Sequence, residues 1–91
     1  ISKKTEDERC LETLTNRELD ILSLISQGYS NERISKTLYI SEGTVKKHIT
    51  NILSKLNLKS RVDAIVFANK NNYLIQYAIN KSLKPDMRKE G

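Results

Sequence analysis

The chain has 91 residues, 37% of them hydrophobic, and carries a formal net charge of +5. This length suffices for one small domain and not for two. A lone cysteine, Cys10, and a lone histidine, His48, exclude an internal disulfide and a cysteine–histidine zinc site, so we expect neither a metal nor a cofactor.

Positive charge is concentrated after residue 20. Residues 1–20 carry four basic and six acidic side chains, whereas residues 21–91 carry twelve basic and five acidic ones. This excess favours a polyanionic partner, and the alternative is a basic surface that serves only solubility. No apolar run reaches the length of a membrane span and no signal peptide is visible, so we expect a cytoplasmic protein with no membrane partner.

The first residues are charged and poor in apolar groups, and we interpret residues 1–13 as a linker. The chain begins with Ile1 rather than Met, which indicates a piece of a longer protein. Cys10 lies in this linker, where we expect it to be inert, with a redox switch as the alternative.

A first helix is predicted from Thr15 onward. Thr15 and Glu18 have the spacing of a capping box, in which each side chain accepts a hydrogen bond from the other residue's amide. Leu14 and Leu19 have the spacing of a hydrophobic staple across the same start. Gly28 is the expected stop, because glycine readily takes the left-handed conformation that ends many helices.

A second and a third helix follow, joined by a tight turn. Ser30 is the expected cap of the second helix, which runs to about residue 38, and the turn falls at residues 39–40. Ser41 is the expected cap of the third helix, which covers about residues 42–56. Asn57 can then take the left-handed conformation that ends it.

The third predicted helix has two unlike faces. Its apolar residues recur at helical spacing and would lie against a core: Val45, Ile49, Ile52, Leu53 and Leu56. The opposite face and its margins carry small, hydrogen-bonding and positively charged residues: Gly43, Thr44, Lys46, Lys47, Thr50, Asn51 and Ser54. A helix buried on one side and polar in this way on the other suits the major groove of DNA.

A fourth helix is predicted to begin after Ser60, with Asp63 completing a second capping-box pattern, and to break at residues 71–72. Its expected inner face consists of Ala64, Ile65 and Ala68. Residues 73–83 hold a second apolar pattern, which indicates either a short fifth helix or an appended extension: Tyr73, Leu74, Tyr77 and Ala78. From residue 84 onward we expect disorder.

With these helices placed, the chain resembles the DNA-binding domain of the LuxR/NarL family of bacterial transcription regulators. The resemblance rests on four segments in order: LTNRELDIL at 14–22, GYSNERIS at 28–35, LYISEGTVKKHITNILSKL at 38–56 and LKSRVDAIVFA at 58–68. It implies an all-α, four-helix, LuxR-type helix-turn-helix domain over about residues 14–75. Residues 76–91 are then a C-terminal extension, partly disordered.

The resemblance also implies a mode of action. The third helix would enter the major groove of double-stranded DNA, and the fourth would contribute the contact of a homodimer bound to paired half-sites. The domain would be the output part of a two-component response regulator, controlled by a missing N-terminal receiver domain. RNA polymerase is left open as a further partner.

Carried over position by position, the resemblance assigns base contacts to Lys46, Lys47 and Thr50. Whether the two lysines meet guanine or phosphate stays open, because only geometry can tell. Backbone or secondary contacts are expected from five further residues: Ser30, Asn31, Thr44, His48 and Asn51. For His48 a packed or solvent-facing ring is the alternative.

The expected dimer contact is formed by Val62, Val66 and Asn69, on the outer side of the fourth helix, with incidental surface apolarity as the alternative. Such a patch is small, so we expect weak dimerisation without DNA. Two positions depart from the family pattern. Gly43 stands where lysine is common and removes a side-chain contact, and Arg33 stands where an acidic residue is common and leaves the second helix without a capping box.

Two other functions are alternatives to a DNA-binding regulator. Region 4 of a sigma factor has a similar helix-turn-helix and reads promoter DNA as part of RNA polymerase, but the KSRVDA helix after residue 56 argues against it. A protein-interaction module that no longer binds DNA would dock through residues 73–83, but the lysines of the third helix argue against that. No enzyme is expected, since the sequence offers no nucleophile–base pair, metal cluster or glycine-rich phosphate loop.

Overall fold

The computed structural model describes residues 4–83, and this part of the chain forms six α-helices. They are α1 (Glu6–Glu12), α2 (Asn16–Ser26), α3 (Asn31–Leu38), α4 (Glu42–Leu56), α5 (Arg61–Lys70) and α6 (Asn72–Leu83). The all-α prediction is therefore confirmed. The four helices predicted from the sequence correspond to α2, α3, α4 and α5.

The starts of the first five helices share one device. Each N-cap residue has an extended backbone, and its side-chain oxygen accepts a hydrogen bond from the amide three residues later: Thr5, Thr15, Ser30, Ser41 and Ser60. The predicted capping box at Thr15 and Glu18 is complete. These bonds satisfy amides that have no carbonyl partner within the helix, which is why short polar residues define the boundaries so closely.

Three helix ends depend on left-handed backbone. Gly28 follows α2 with φ +91°, and Asn57 follows α4 with φ 58°, as the sequence predicted. Tyr39 follows α3 with φ 59° and opens the turn of the helix-turn-helix. An aromatic residue rarely takes this conformation, because its Cβ crowds the neighbouring carbonyl oxygen.

The core is organised around α2, which contacts α4, α5 and α6, while α3 packs on α4. In the described part of the chain fourteen apolar side chains are buried: Leu11, Leu14, Leu19, Ile21, Leu22, Ile25, Ile34, Val45, Ile49, Ile52, Leu56, Ala64, Ala68 and Ile75. The two alanines on α5 allow α2 and α5 to approach closely. Among residues 4–83, none of the helices has the length and apolar composition needed to cross a membrane.

The interpretation of residues 1–13 as a linker did not anticipate α1. Thr5 and Glu8 form a complete capping box, and Leu11 is buried against the core beside α4. The segment looked unstructured because only one of its seven helical residues enters the core. The acidic side chains in its first turn instead stabilise the start of the helix, because they interact favourably with the positive end of the helix dipole.

The C-terminal helix also differs in detail. Only Asn71 separates α5 from α6, because Asn72 is already the first residue of α6. The possible fifth helix is present, and its apolar pattern is divided: Leu74 and Ala78 pack against the core, Tyr73 and Tyr77 are exposed, and Ile75, outside that pattern, is buried. The prediction of disorder from residue 84 lies outside the described residues.

Candidate nucleic-acid interface

α4 is held from behind by α2 and α3. Its inner residues Val45, Ile49 and Ile52 are buried, and Leu56 closes the row at the last turn. Burial of such a continuous apolar row orients the helix and leaves its other side toward solvent. The predicted two-faced character of the helix is therefore confirmed at the level of burial.

The outward face of α4 carries the residues that the sequence singled out. Lys46, Lys47, Thr50 and Asn51 are all exposed. None of the side-chain hydrogen bonds or ion pairs found within residues 4–83 uses these four side chains. They form an open polar surface with two positive charges.

An ion pair that the sequence analysis missed ties α4 to α2. The Lys55 ammonium donates to Glu18 Oε1 at 2.7 Å, and Glu18 is buried with only 3% of its surface exposed. Burial of the Glu18 carboxyl raises its pKa, but the hydrogen bonds from Lys55 and Thr15 outweigh burial, so the pKa lies below its ordinary value. The two partners are 37 residues apart, and no local pattern joins them.

Thr44 and His48 lie at the edge of the outer face and are half-buried. The Thr44 hydroxyl accepts a hydrogen bond from Ser41 Oγ at 2.9 Å, so it takes part in the helix cap. His48 Nδ1 is buried and has no hydrogen-bond partner within the described residues. One edge of the imidazole is therefore packed against protein, as in the alternative proposed for this residue.

The start of α3 is fastened to α5 by Arg61, a residue that the sequence analysis did not select. The Arg61 guanidinium donates to the Tyr29 carbonyl at 2.6 Å and to Asn31 Oδ1. Ser30 is exposed and caps the helix by accepting from the Arg33 amide at 3.1 Å. The predicted backbone contacts Ser30 and Asn31 thus lie together, with the first-turn amides of α3.

The two departures from the family pattern have structural counterparts. A Cβ at Gly43 would lie 3.8 Å from Ser41 Oγ, which is ordinary contact, so a side chain fits there. α3 lacks a capping box, as predicted, and the Arg33 guanidinium instead lies over the Tyr29 ring, 3.9 Å from its centroid.

The outer side of α5 presents two exposed valines. Val62 and Val66 are 66% and 61% exposed, and Asn69 follows on the same side at the next helical turn. Two exposed valines form only a small apolar patch, smaller than the patches that by themselves mark an interaction site.

A groove of about 610 Å³ lies elsewhere, between α1, the start of α2 and α6. Its apolar lining includes Leu11, Leu14, Leu74 and Tyr77, and none of its lining residues belongs to α4. Within residues 4–83, no three histidine, cysteine, aspartate or glutamate side chains come together as metal ligands would.

The arrangement of α3, the turn at Tyr39 and α4 on a small helical core defines a helix-turn-helix domain with a solvent-facing second helix. The sequence model of the family described as "Bacterial regulatory proteins, luxR family" matches residues 12–68, more than half of the chain. The chain therefore belongs to this family, whose membership implies DNA-binding transcription regulation rather than catalysis.

Relatives agree with this assignment. The transcriptional regulatory protein DegU of Brevibacillus brevis is 46% identical over 72 residues, which is 79% of this chain and 30% of that protein. LiaR of Bacillus subtilis is 52% identical over 61 residues, 67% of this chain and 29% of LiaR. The response regulator VraR of Staphylococcus aureus is 46% identical over 63 residues, 69% of this chain and 30% of VraR. The chain thus spans less than a third of the length of these relatives.

Proposed function

We propose that the chain is a sequence-specific DNA-binding domain of a bacterial transcription regulator, with α4 as the reader of the major groove. The observation that carries this proposal is the division of α4 into a buried apolar row and an exposed face with Lys46, Lys47, Thr50 and Asn51. Lysine and asparagine can donate to base edges there, and threonine offers a hydroxyl and a methyl group. Because bacterial chromosomal DNA lies in the cytoplasm, we also propose a cytoplasmic location.

The proposal includes binding as a homodimer to paired half-sites. Val62, Val66 and Asn69 on α5 supply the contact between two copies, and two copies related by a twofold axis read two related half-sites. Because the relatives are more than three times as long as the matched segment, we propose that a receiver domain controls the dimer in the whole regulator. RNA polymerase is a further proposed partner of that regulator.

The first experiment is selection of bound duplexes from a random DNA pool, followed by titration of the enriched sequence at several salt concentrations. An enriched motif with two related half-sites supports a sequence-specific dimer. Weak binding without enrichment, sensitive only to salt, contradicts sequence-specific reading by this domain.

Two variants then test α4 itself. Lys46→Ala and Lys47→Ala are each expected to weaken binding by about 1–3 kcal/mol if the lysine reads a base, with loss of preference at that base pair. A lysine on phosphate would instead lower affinity for all sequences alike. The matched control is Lys70→Ala, which removes the same charge from α5, where Lys70 lies 3.8 Å from Asp7 of α1. Unchanged affinity in both α4 variants contradicts the assignment of α4 as reader.

The two other functions weighed above make different predictions. Family membership and the presence of α5 where a sigma factor region would end leave no structural support for the sigma alternative. A protein-interaction module would leave DNA affinity negligible in the wild type, with Tyr77 and the groove beside α1 as its surface. The same titration therefore separates that function from DNA binding.

A further inference from the structure

Tyr29 is a junction between two arginines. Its carbonyl oxygen accepts the hydrogen bond from Arg61 on α5, and its ring supports the guanidinium of Arg33 on α3. Tyr29 is half-buried and itself precedes the Ser30 cap, so both guanidinium groups lie at the amino-terminal end of α3. Two positive charges meet at this end of the helix, where the helix dipole is also positive.

Among residues 4–83, no carboxylate forms an ion pair with Arg33. No hydrogen bond or ion pair within residues 4–83 uses its guanidinium, and its exposed side chain is held only by the 3.9 Å stack on Tyr29. Glu32, the neighbouring carboxylate, lies 3.2 Å from the Lys36 ammonium on the other side. A stacked guanidinium keeps its N–H donors in the plane of the group and directed outward, as bidentate binding to phosphate oxygens requires.

The position of this stack relative to α4 indicates which group it would bind. α3 packs on α4, and in helix-turn-helix proteins the first helix crosses the DNA backbone while the second lies in the major groove. The amino-terminal end of α3 would then face a phosphate of the strand that borders the groove. A solvated arginine would lose side-chain entropy on binding there, whereas the Tyr29 ring already restrains Arg33.

We propose that Arg33, stacked on Tyr29, is a DNA-phosphate contact of this domain that sets affinity without reading sequence. The proposal rests on the proposed function above, since it needs α4 in the groove. It adds the Arg33 side chain, in the first turn of α3, to the contacts proposed for Ser30, Asn31 and α4, and it assigns Tyr29 as a positioning residue that acts through Arg33.

Salt-dependent titration of the selected duplex tests the contact. For each bound subunit, Arg33→Ala is expected to reduce the slope of log affinity against log salt by about 0.9 and to weaken binding about 5- to 10-fold at 0.1 M salt. The loss should be equal on the selected duplex and on an unrelated one. Arg33→Lys keeps the charge and should retain the slope, with affinity between those of wild type and Arg33→Ala. Lys70→Ala is the charge-matched control and should change neither quantity.

The role of the Tyr29 ring is tested separately. Tyr29→Leu should weaken binding in the wild type and have no effect when Arg33 is already alanine, whereas Tyr29→Phe keeps the ring and should bind as wild type does. Equal losses from Tyr29→Leu in both backgrounds overturn the role of Tyr29. Circular dichroism shows which variants fold. If Tyr29→Leu is unfolded, the comparison of Arg33→Lys with Arg33→Ala decides whether Arg33 contacts phosphate.

The outcomes distinguish the two proposals. If Lys47→Ala weakens binding while Arg33→Ala leaves both affinity and slope unchanged, the phosphate contact is wrong and reading by α4 stands. If no variant on α3 or α4 alters binding, the proposed function fails and this contact fails with it.

Discussion

Tyr39 adopts a left-handed backbone conformation that is unfavourable for its residue type. It opens the helix-turn-helix turn at φ 59° and is 93% exposed, so its ring gains little from burial in return. A left-handed conformation costs an L-residue with a bulky side chain on the order of 1 kcal/mol, whereas asparagine adopts it readily. The turn is therefore formed in spite of Tyr39, because α3 and α4 are each capped and packed.

Replacement of Tyr39 by Asn should raise the free energy of unfolding by about 0.5–1 kcal/mol, since it removes this strain without uncovering the core. Urea denaturation measures the change through the transition midpoint. The reciprocal control is Asn57→Tyr at the other left-handed position, which should lower stability by a similar amount. A destabilised Tyr39→Asn variant would show that the ring makes a stabilising contact.

Glu18 combines two tasks at one residue. It completes the capping box with Thr15 and accepts the Lys55 hydrogen bond at 2.7 Å, so it links the start of α2 to the last turn of α4. Because its pKa is lowered on folding, its contribution to stability is present above the unfolded pKa of about 4.3 and is lost as pH falls through the folded value. Burial raises the pKa of Asp20, which works in the opposite direction.

Glu18→Gln isolates this contribution, because glutamine can still serve in the capping box. We expect a loss of about 1 kcal/mol at pH 7 and a difference from wild type that shrinks as pH falls below 4. Asp20 is present in both proteins, so its titration cancels in the comparison. Thermal unfolding from pH 3 to pH 7 provides the measurement, and a difference that stays constant with pH would contradict the ion pair.

At the scale of elements, α1 is the helix that sequence patterns concealed. It has seven residues, and a helix this short is unstable alone, so its presence depends on the contact that buries Leu11. α1 also binds the residue between α5 and α6, since Asn71 Nδ2 donates to Asp7 Oδ2 at 3.0 Å. The helix thus belongs to the folded unit and covers the junction of α5 and α6.

Leu11→Ala should destabilise the domain by about 2–3 kcal/mol through lost burial and a residual cavity. Glu12→Ala is the control, because its side chain is exposed and pairs only with exposed Lys4, an interaction of less than about 1 kcal/mol. Chemical denaturation of both variants gives the comparison. Equal stabilities of the two variants would mean that α1 contributes nothing to the core.

For the whole molecule, the proposed homodimer would be formed through the outer side of α5. The exposed valines form too small a patch for a stable dimer in solution, since specific interfaces bury about 1,200–2,000 Å² in total. Paired half-sites on DNA hold two copies close together and raise their effective concentration. Dimerisation should therefore be visible chiefly as cooperativity on DNA.

Val66→Asp should abolish that cooperativity and lower affinity for paired half-sites by at least about fivefold, while affinity for a single half-site stays within twofold of wild type. Tyr77→Asp provides the control, because it places the same charge at an exposed apolar position on α6. Band-shift titrations on single and paired half-sites measure both quantities. A clear dimer of the wild type at micromolar concentration without DNA would contradict the weak contact.

Much of the fold could be predicted because its signals are local. Capping residues at Thr15, Ser30 and Ser41 and the stop at Asn57 act within one helical turn, so the printed sequence displays them directly. The two faces of α4 follow from helical periodicity in the same way. For α6 the apolar pattern alone did not show that Ile75 is buried while Tyr73 and Tyr77 are exposed, because period does not tell which of two adjacent apolar rows packs inward.

The sequence by itself determined the boundaries of α2, α3 and α4, the start of α5, the buried row of α4 and the polar face opposite it, because each depends on residues within a few turns of one another. Only the tertiary structure decided that α1 joins the core, that Lys55 reaches Glu18, and that Arg61 reaches Tyr29. The Lys55–Glu18 and Arg61–Tyr29 contacts each join residues more than 30 positions apart, and such contacts depend on how the helices pack rather than on any periodic pattern.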